Sequence, residues 1–275
     1  AENPELNPFY LYFSKRLSGL VQKNNSSVIG FSLNYLSQAL CTFAMAGFLK
    51  KEFPRTWLGG NIGISPLQFI EKMKPGDITV LELSSWMLHD LKKPQLDIAV
   101  MTNILQDHLD RYRSMREYQR DKERIWRWQT RDHLLVLNAR APLVSEMHRR
   151  AAARIVWFGK NIRGTNDVFI RNEKIYFRNE VVVSTADIQL RGHHNRDNVC
   201  AAIAVAKSLG VSNAVIRTVL RNFHGLPHRL AFVRTVRGVQ YFNDTTATTP
   251  DAGVAALAAF DRKVILIAGG RFKVP

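Results

Sequence analysis

Short β-branched or apolar runs alternate along this chain with stretches whose apolar residues recur every three to four positions. The runs at 26–31 (SSVIGF), 78–83 (ITVLEL), 96–101 (LDIAVM), 133–138 (HLLVLN), 154–159 (RIVWFG), 239–244 (VQYFND) and 263–270 (KVILIAGG) predict strands. Helical patterns cover Asn34–Lys51, Pro66–Met73, Ser114–Trp128, Asn195–Leu209, Ser212–Asn222 and Pro250–Phe260. Uninterrupted apolar strands between helices mean strands buried on both faces. The expected fold is therefore α/β, a mainly parallel sheet flanked by helices. Between Asp167 and Leu190 the character changes to short alternating segments (VFIRN, KIYFRN, VVVSTADIQL), which predicts a small antiparallel patch.

Gly and Pro break the helical pattern at FHGLPHR, positions 223–229, a candidate domain boundary. The expected organisation is 1–25 as a linker or the remnant of a preceding domain, 26–222 as a central domain, and 223–275 as the opening of another α/β unit. Because the chain stops at AGGRFKVP, directly after a predicted strand, that last unit is expected to be incomplete.

Composition changes this picture little. With 275 residues, 46% hydrophobic and 23% charged, the chain can bury a sizeable core. Cys41 and Cys200 lie far apart in helical stretches, with neither disulfide nor metal spacing, so a reducing cytoplasm is expected. No run is long and apolar enough for a membrane span, so no membrane partner is expected. The formal net charge of +16 is concentrated in Arg111–Arg131 and Arg149–Arg163. Such a surface attracts polyanions. No RNP, zinc-finger or GxxG signature accompanies it, and nucleic acid is not the expected partner.

The chemistry concentrates in NILQDHLDR at 103–111, where Asp107 and Asp110 flank His108 just past an apolar strand. Open α/β sheets bind ligands at that carboxyl edge, and imidazole with carboxylates suits a divalent metal near phosphate. A capping Asp and a surface His before a helix would read the same. Four further segments stand in order around it: GGNIGISP (59–66), LELSSWML (81–88), LRGHHNRDN (190–198), and GLPHR (225–229) followed by NDTTATTP (243–250) and AGGRFK (268–273).

In order, spacing and wording these segments resemble the Mur ligases, from about Ser26 to Lys273. ELSS-W-x-L and GLPHR are most similar to the branch that joins D-glutamate to UDP-N-acetylmuramoyl-L-alanine in peptidoglycan synthesis. The resemblance implies a P-loop-like central domain followed by a Rossmann-like C-terminal domain, and a monomer. It implies ATP-dependent amide-bond formation through an acyl phosphate, with ATP and two Mg²⁺ ions as cofactors. Charge neutralisation is the main catalytic need, because two anions must approach each other.

By the same resemblance, Glu82 and His108 are Mg²⁺ ligands, and Lys122 matches a lysine that the family carries as a carbamate. Asn61 and Ser84 would contact the muramoyl substrate, with Thr248 and Lys273 on the substrate side as well. His194, Asn195 and Asn198 would face adenine, Arg229 and Asp244 the ribose, and Gly30 the phosphates. The residues alone allow plainer readings: Glu82 a strand-end carboxylate in solvent, Lys122 one charge on a solvated helix face, GGNIG a tight turn, Asn195 an N-cap.

The family's phosphate loop has the form GTNGK[ST]T, and here the same place reads GFSLNYLSQ, Gly30 to Gln38. Leu33, Asn34 and Tyr35 stand where a glycine, the lysine and the metal-binding hydroxyl are expected. A phosphate cradle needs small residues and a cation. Thr246 likewise replaces a lysine of NDSKAT, and Phe272 the aspartate of AGGRDKG. Two expectations therefore stand: an active ligase, and a homologue that keeps the sheet and binds a nucleotide sugar or a partner without turnover.

Overall fold

A computed structural model describes residues 27–32, 39–62, 64–106, 111–159, 167–247 and 249–269. Nine strands form one sheet in the order β2-β3-β1-β4-β5-β6-β7-β8-β9. They are β1 (Ser27–Ser32), β2 (Thr56–Gly60), β3 (Ile78–Glu82), β4 (Ile98–Met101), β5 (Leu134–Asn138), β6 (Arg154–Gly159), β7 (Val168–Arg171), β8 (Lys174–Phe177) and β9 (Glu180–Ser184). Pairing is parallel from β2 through β7 and antiparallel across β7-β8-β9, as the change of pattern after Asp167 predicts.

Helices cover both faces. On one, α1 (Ala39–Glu52), α5 (His193–Ser208) and α6 (Asn213–Asn222) pack over Ile78, Val80, Ile98, Val100, Leu134 and Val136. On the other, α2 (Ser85–Asp90), α3 (Met115–Glu123) and α4 (Pro142–Ser145) pack over Leu81, Ala99, Met101, Leu135 and Leu137. Successive strand residues thus enter different cores, which is why the strands are apolar throughout. Helix α5 is apolar on every side along Val199–Ala206 because all eight residues are fully buried. After α6 the chain forms a separate antiparallel hairpin, β10 (Ala231–Val236) with β11 (Val239–Asn243), and then α7 (Pro250–Leu257).

Several elements differ from expectation. Pro66–Met73 is two 3-10 turns instead of a helix. Phe69 leaves the helical pattern there to stack on Trp57, ring centres 5.4 Å apart, and to cover Gly59. Helix α3 stops at Glu123 instead of Trp128; beyond it Ile125 and Trp126 donate to carbonyls three residues back, which tightens the chain into turns. The apolar run at 263–270 forms no strand over 263–269, and Ile265 and Ile267 are more than nine-tenths exposed. A strand needs a neighbour to bond, and none is present there among the described residues. Strands β2 and β10 and helices α2 and α4 are not among the elements the pattern predicts. No helix among the described residues is long and apolar enough to cross a membrane.

The amino edge of the sheet is fastened by Asp77, a buried carboxylate. It accepts from Arg55 Nε and Nη2 at 2.5 and 2.7 Å, Trp57 Nε1 at 2.8 Å and the Lys74 N–H at 3.0 Å. The Arg55 guanidinium holds this carboxyl well below its ordinary range. Its stabilising contribution is therefore present above the ordinary aspartate pKa and lost as acid titrates it. Asp77→Ala should lower stability by about 2–3 kcal/mol, the scale of hydrogen bonds to a charged group, read as a lower urea midpoint.

Candidate active site

The candidate site lies at the carboxyl edge of the sheet. Strand β3 ends at Glu82, in register with Phe31 of β1 and Gly60 of β2. The chain turns directly over it, and the Asn61 N–H donates to the Glu82 carbonyl at 2.8 Å. Gly60 has φ +122°, and a Cβ there would lie 2.1 Å from that carbonyl oxygen; one on Gly59 would lie 2.4 Å from the Ile64 oxygen. Only glycine permits so close an approach. GGN is thus a tight turn, and a turn that places Asn61 on Glu82.

Glu82 is buried, and its Oε2 has no hydrogen-bond partner among the described residues. Burial pushes its pKa up to about 7, against the pull of Lys122, the Asn61 side chain and Arg229, in that order. The picture of a solvated strand-end carboxylate is thereby corrected. Lys122 is likewise not on a solvated face: it is only 1% exposed, on the inner side of α3, with Nζ 5.2 Å from the centre of the Tyr118 ring.

Arg229 approaches Glu82 from the segment after α6. It is buried, and its Nη1 has no hydrogen-bond partner among the described residues. Burial lowers its pKa to about 10, while Asp244 and Glu82 favour its charge. The backbone on both sides is left-handed, His228 at φ 63° and Leu230 at φ 45°, strain of about 1–3 kcal/mol per residue that the surroundings must hold in place. Asp244 helps by accepting the Leu230 N–H at 2.9 Å. Burial raises the Asp244 pKa.

A second feature of the same edge is a cleft of about 120 Å³, lined by Thr102, Asn103, Asn138, Phe158, His194, Asp197, Asn198 and α7 residues including Asp251. His194 and Asn198 both line this cleft, while Asn195 stands behind them. Asn195 is buried, donates to the Arg191 carbonyl at 2.6 Å and accepts from Asn198 Nδ2 at 3.1 Å. It is not the N-cap, a position held by Gly192. Burial pulls the His194 pKa down.

The other expected residues divide. Ser84 caps α2, its Oγ accepting from the Met87 N–H at 3.3 Å. Gly30 lies inside β1, paired with Leu81 and Ala99, and the strand continues through Ser32. Leu33–Gln38, Asp107, His108, Asp110, Thr248 and Lys273 lie outside the described residues. No group of three or more His, Cys, Asp or Glu able to hold a metal occurs among the described residues.

Sequence reasoning did not single out Asn103, Asn138 or Asp197, nor the approach of Arg229 to Glu82. Asn103 and Asn138 stand at the ends of β4 and β5, and the rule that ligands bind at strand carboxyl ends could have found them. No local signal joins Arg229 to Glu82.

Residues 21–206 match the Mur ligase middle domain. The chain is 37% identical over 230 residues to the UDP-N-acetylmuramoylalanine–D-glutamate ligase of Clostridium tetani, covering 83% of this chain and 50% of that protein. The enzyme of that name from Acidobacterium capsulatum is 37% identical over 238 residues, covering 84% and 52%. The chain spans about half the length of the curated relatives it matches. Among solved structures it resembles MurF from Acinetobacter baumannii, with a TM-score of 0.73 and 21% identity over 90% of this chain and 56% of that one. MurF ligase from Thermotoga maritima in complex with ADP has a TM-score of 0.70 and 18% identity, over 94% and 63%.

Between pH 4.5 and about 7 Glu82 takes up a proton on folding, because its folded pKa lies above its ordinary 4.5. Its contribution to stability is thus full below about 4.5 and lost as pH rises through about 7. Carbon-13 NMR of glutamate-labelled protein should show one carboxyl titrating near 7. In Lys122→Met that midpoint should move higher, since the favourable charge is gone. A midpoint at the ordinary glutamate value would refute the burial.

Proposed function

The chain belongs to the Mur ligase family, and from that premise we propose that it joins D-glutamate to UDP-N-acetylmuramoyl-L-alanine, with ATP, in the cytoplasm, as a monomer. The observation that carries this reading is the buried carboxylate of Glu82 between Lys122 and Arg229 at the carboxyl edge of β3. Residues 26–222 act as the central, nucleotide-binding domain and 223–275 as the opening part of the C-terminal domain. Residues 1–25 act as a linker or as the remnant of a UDP-binding domain.

In this reading the substrate carboxylate attacks the γ-phosphorus of ATP, ADP leaves, and the amine of D-glutamate then displaces phosphate from the acyl phosphate. The base of the nucleotide lies in the cleft at His194 and Asn198, with Asn195 fixing the Asn198 amide. Asn61 and Ser84 face the muramoyl substrate, Thr248 and Lys273 the substrate side, and Arg229 with Asp244 the ribose. Arg229 also supplies positive charge beside Glu82.

The donor set fits a divalent cation in one form of Lys122. As an ammonium, Lys122 is itself the countercharge of Glu82. As a carbamate it becomes an oxygen donor, and together with the unpartnered Oε2 of Glu82 it fits Mg²⁺. His108 is proposed for the second ion. Mg²⁺ supplies neutralisation of the phosphate oxygens that must meet a second anion. Leu33, Asn34 and Tyr35, at the sequence positions where the family carries its phosphate motif, favour a second reading, a relative that binds nucleotide sugar without turnover.

Purified protein given ATP, Mg²⁺, D-glutamate and UDP-N-acetylmuramoyl-L-alanine should release phosphate only when both acceptor substrates are present. Glu82→Gln should reduce that rate by about 100-fold or more, as loss of a central electrostatic group does. No release, with calorimetry showing no ATP binding, would defeat the ligase reading. ATP binding without release would favour the second reading. Rebuilding the loop with Leu33→Gly, Asn34→Lys and Tyr35→Ser should then raise ATP affinity.

A further inference from the structure

Helix α3 has the sequence MREYQRDKE, and Tyr118 is the one apolar residue among its four buried positions. A helix with so narrow an apolar stripe is weakly held against rotation about its axis, and one residue step corresponds to roughly 100°. Yet Lys122 must face Glu82 to share its pocket. Polar residues beside Lys122 add the constraint: Arg150 holds Glu123 with bonds of 2.7 and 2.6 Å, and Asp121 and Arg124 face α2.

Asp121 Oδ2 accepts from His89 Nδ1 of α2 at 2.9 Å, and the Asp121 side chain is only 11% exposed. Arg124, which ends α3, donates to the α2 carbonyl of Leu88 at 2.7 Å, to that of Leu91, and to that of Lys92 at 3.3 Å. The Leu88 carbonyl lies in the last turn of α2 and those of Leu91 and Lys92 just past it, where intrahelical donors run out. Helix α2 starts three residues after Glu82, on the same piece of chain. Fastening α3 to α2 therefore registers Lys122 against Glu82.

We propose that His89 and Asp121 are positioning residues, whose hydrogen bond locks α3 onto α2 and so sets Lys122 against Glu82. Exposed ion pairs usually contribute little, but here one partner is buried and immediately precedes the residue to be placed. The catalytic meaning of this latch rests on the ligase reading above; the placement of Lys122 does not.

The test compares full-length protein with His89→Ala and with His89→Asn, whose amide nitrogen can replace Nδ1 as donor. Amine acylation by acetic anhydride is followed by mass spectrometry at Lys122. Lys207, 15% exposed and 3.0 Å from Glu180, is the internal control. In His89→Ala, Lys122 should react about fivefold faster or more, through local opening of α3, while Lys207 keeps its rate. His89→Asn should restore protection. In the ligase assay His89→Ala should lower kcat about tenfold with KM for ATP unchanged, the mark of misplacement in place of lost binding.

Unchanged Lys122 labelling in His89→Ala overturns the proposal. So does a parallel rise at Lys122 and Lys207, which signals general loosening. If wild-type protein does not turn over, the ligase reading fails, and the labelling comparison still decides the latch.

Discussion

Glu82 is a carboxylate held almost out of reach of water at the end of a parallel strand, and the surrounding elements answer the electrostatic demand this creates. A charge in that position is tolerated only with countercharge and hydrogen bonds close by. Lys122 comes from α3 on one face of the sheet, Arg229 from beyond α6, and Asn61 from the turn that closes β2. Each approach has its own structural requirement. The turn needs Gly60 because no Cβ fits over the Glu82 carbonyl, and Arg229 needs left-handed backbone at His228 and Leu230. Burial nevertheless outweighs these partners, so the group remains easily protonated. One oxygen of Glu82 and one nitrogen of Arg229 stay unpaired among the described residues, as suits a pocket built for a ligand.

How much of this can be read from the sequence follows from what each signal measures. Central parallel strands are apolar runs, because two cores take alternate side chains, and ITVLEL, HLLVLN and RIVWFG are therefore plain to see. TWLGG is not, since two of its five residues are glycine, and SWMLHD is too short for a helical period to register. KVILIA has the composition of a strand but no partner to pair with among the described residues, and pairing is a tertiary fact. The nearness of Glu82 to Lys122 follows from motif order and from resemblance to a family. Nothing in RDKER itself announces a buried lysine, because every residue of that segment carries charge.

The basic run after Asp110 illustrates the same limit. In sequence, Arg111–Arg131 reads as one cationic surface, but the fold divides it by function. Arg111 stacks over Trp86 at 4.5 Å, and Arg124 closes the end of α2. Outside the run, Arg150 grips buried Glu123 with two bonds of 2.7 and 2.6 Å. Part of the charge excess thus serves to fix the helix that carries Lys122. Charge composition reports that cations are present, and only packing reports what they hold.

The most direct measurement is the coupling free energy between Glu82 and Lys122, from urea unfolding of Glu82→Gln, Lys122→Met and the double variant at pH 8. Two buried groups that attract each other should give a coupling above about 1 kcal/mol, well beyond the few tenths seen for independent sites. A coupling indistinguishable from zero would mean that the two side chains do not share a pocket, and would contradict the account.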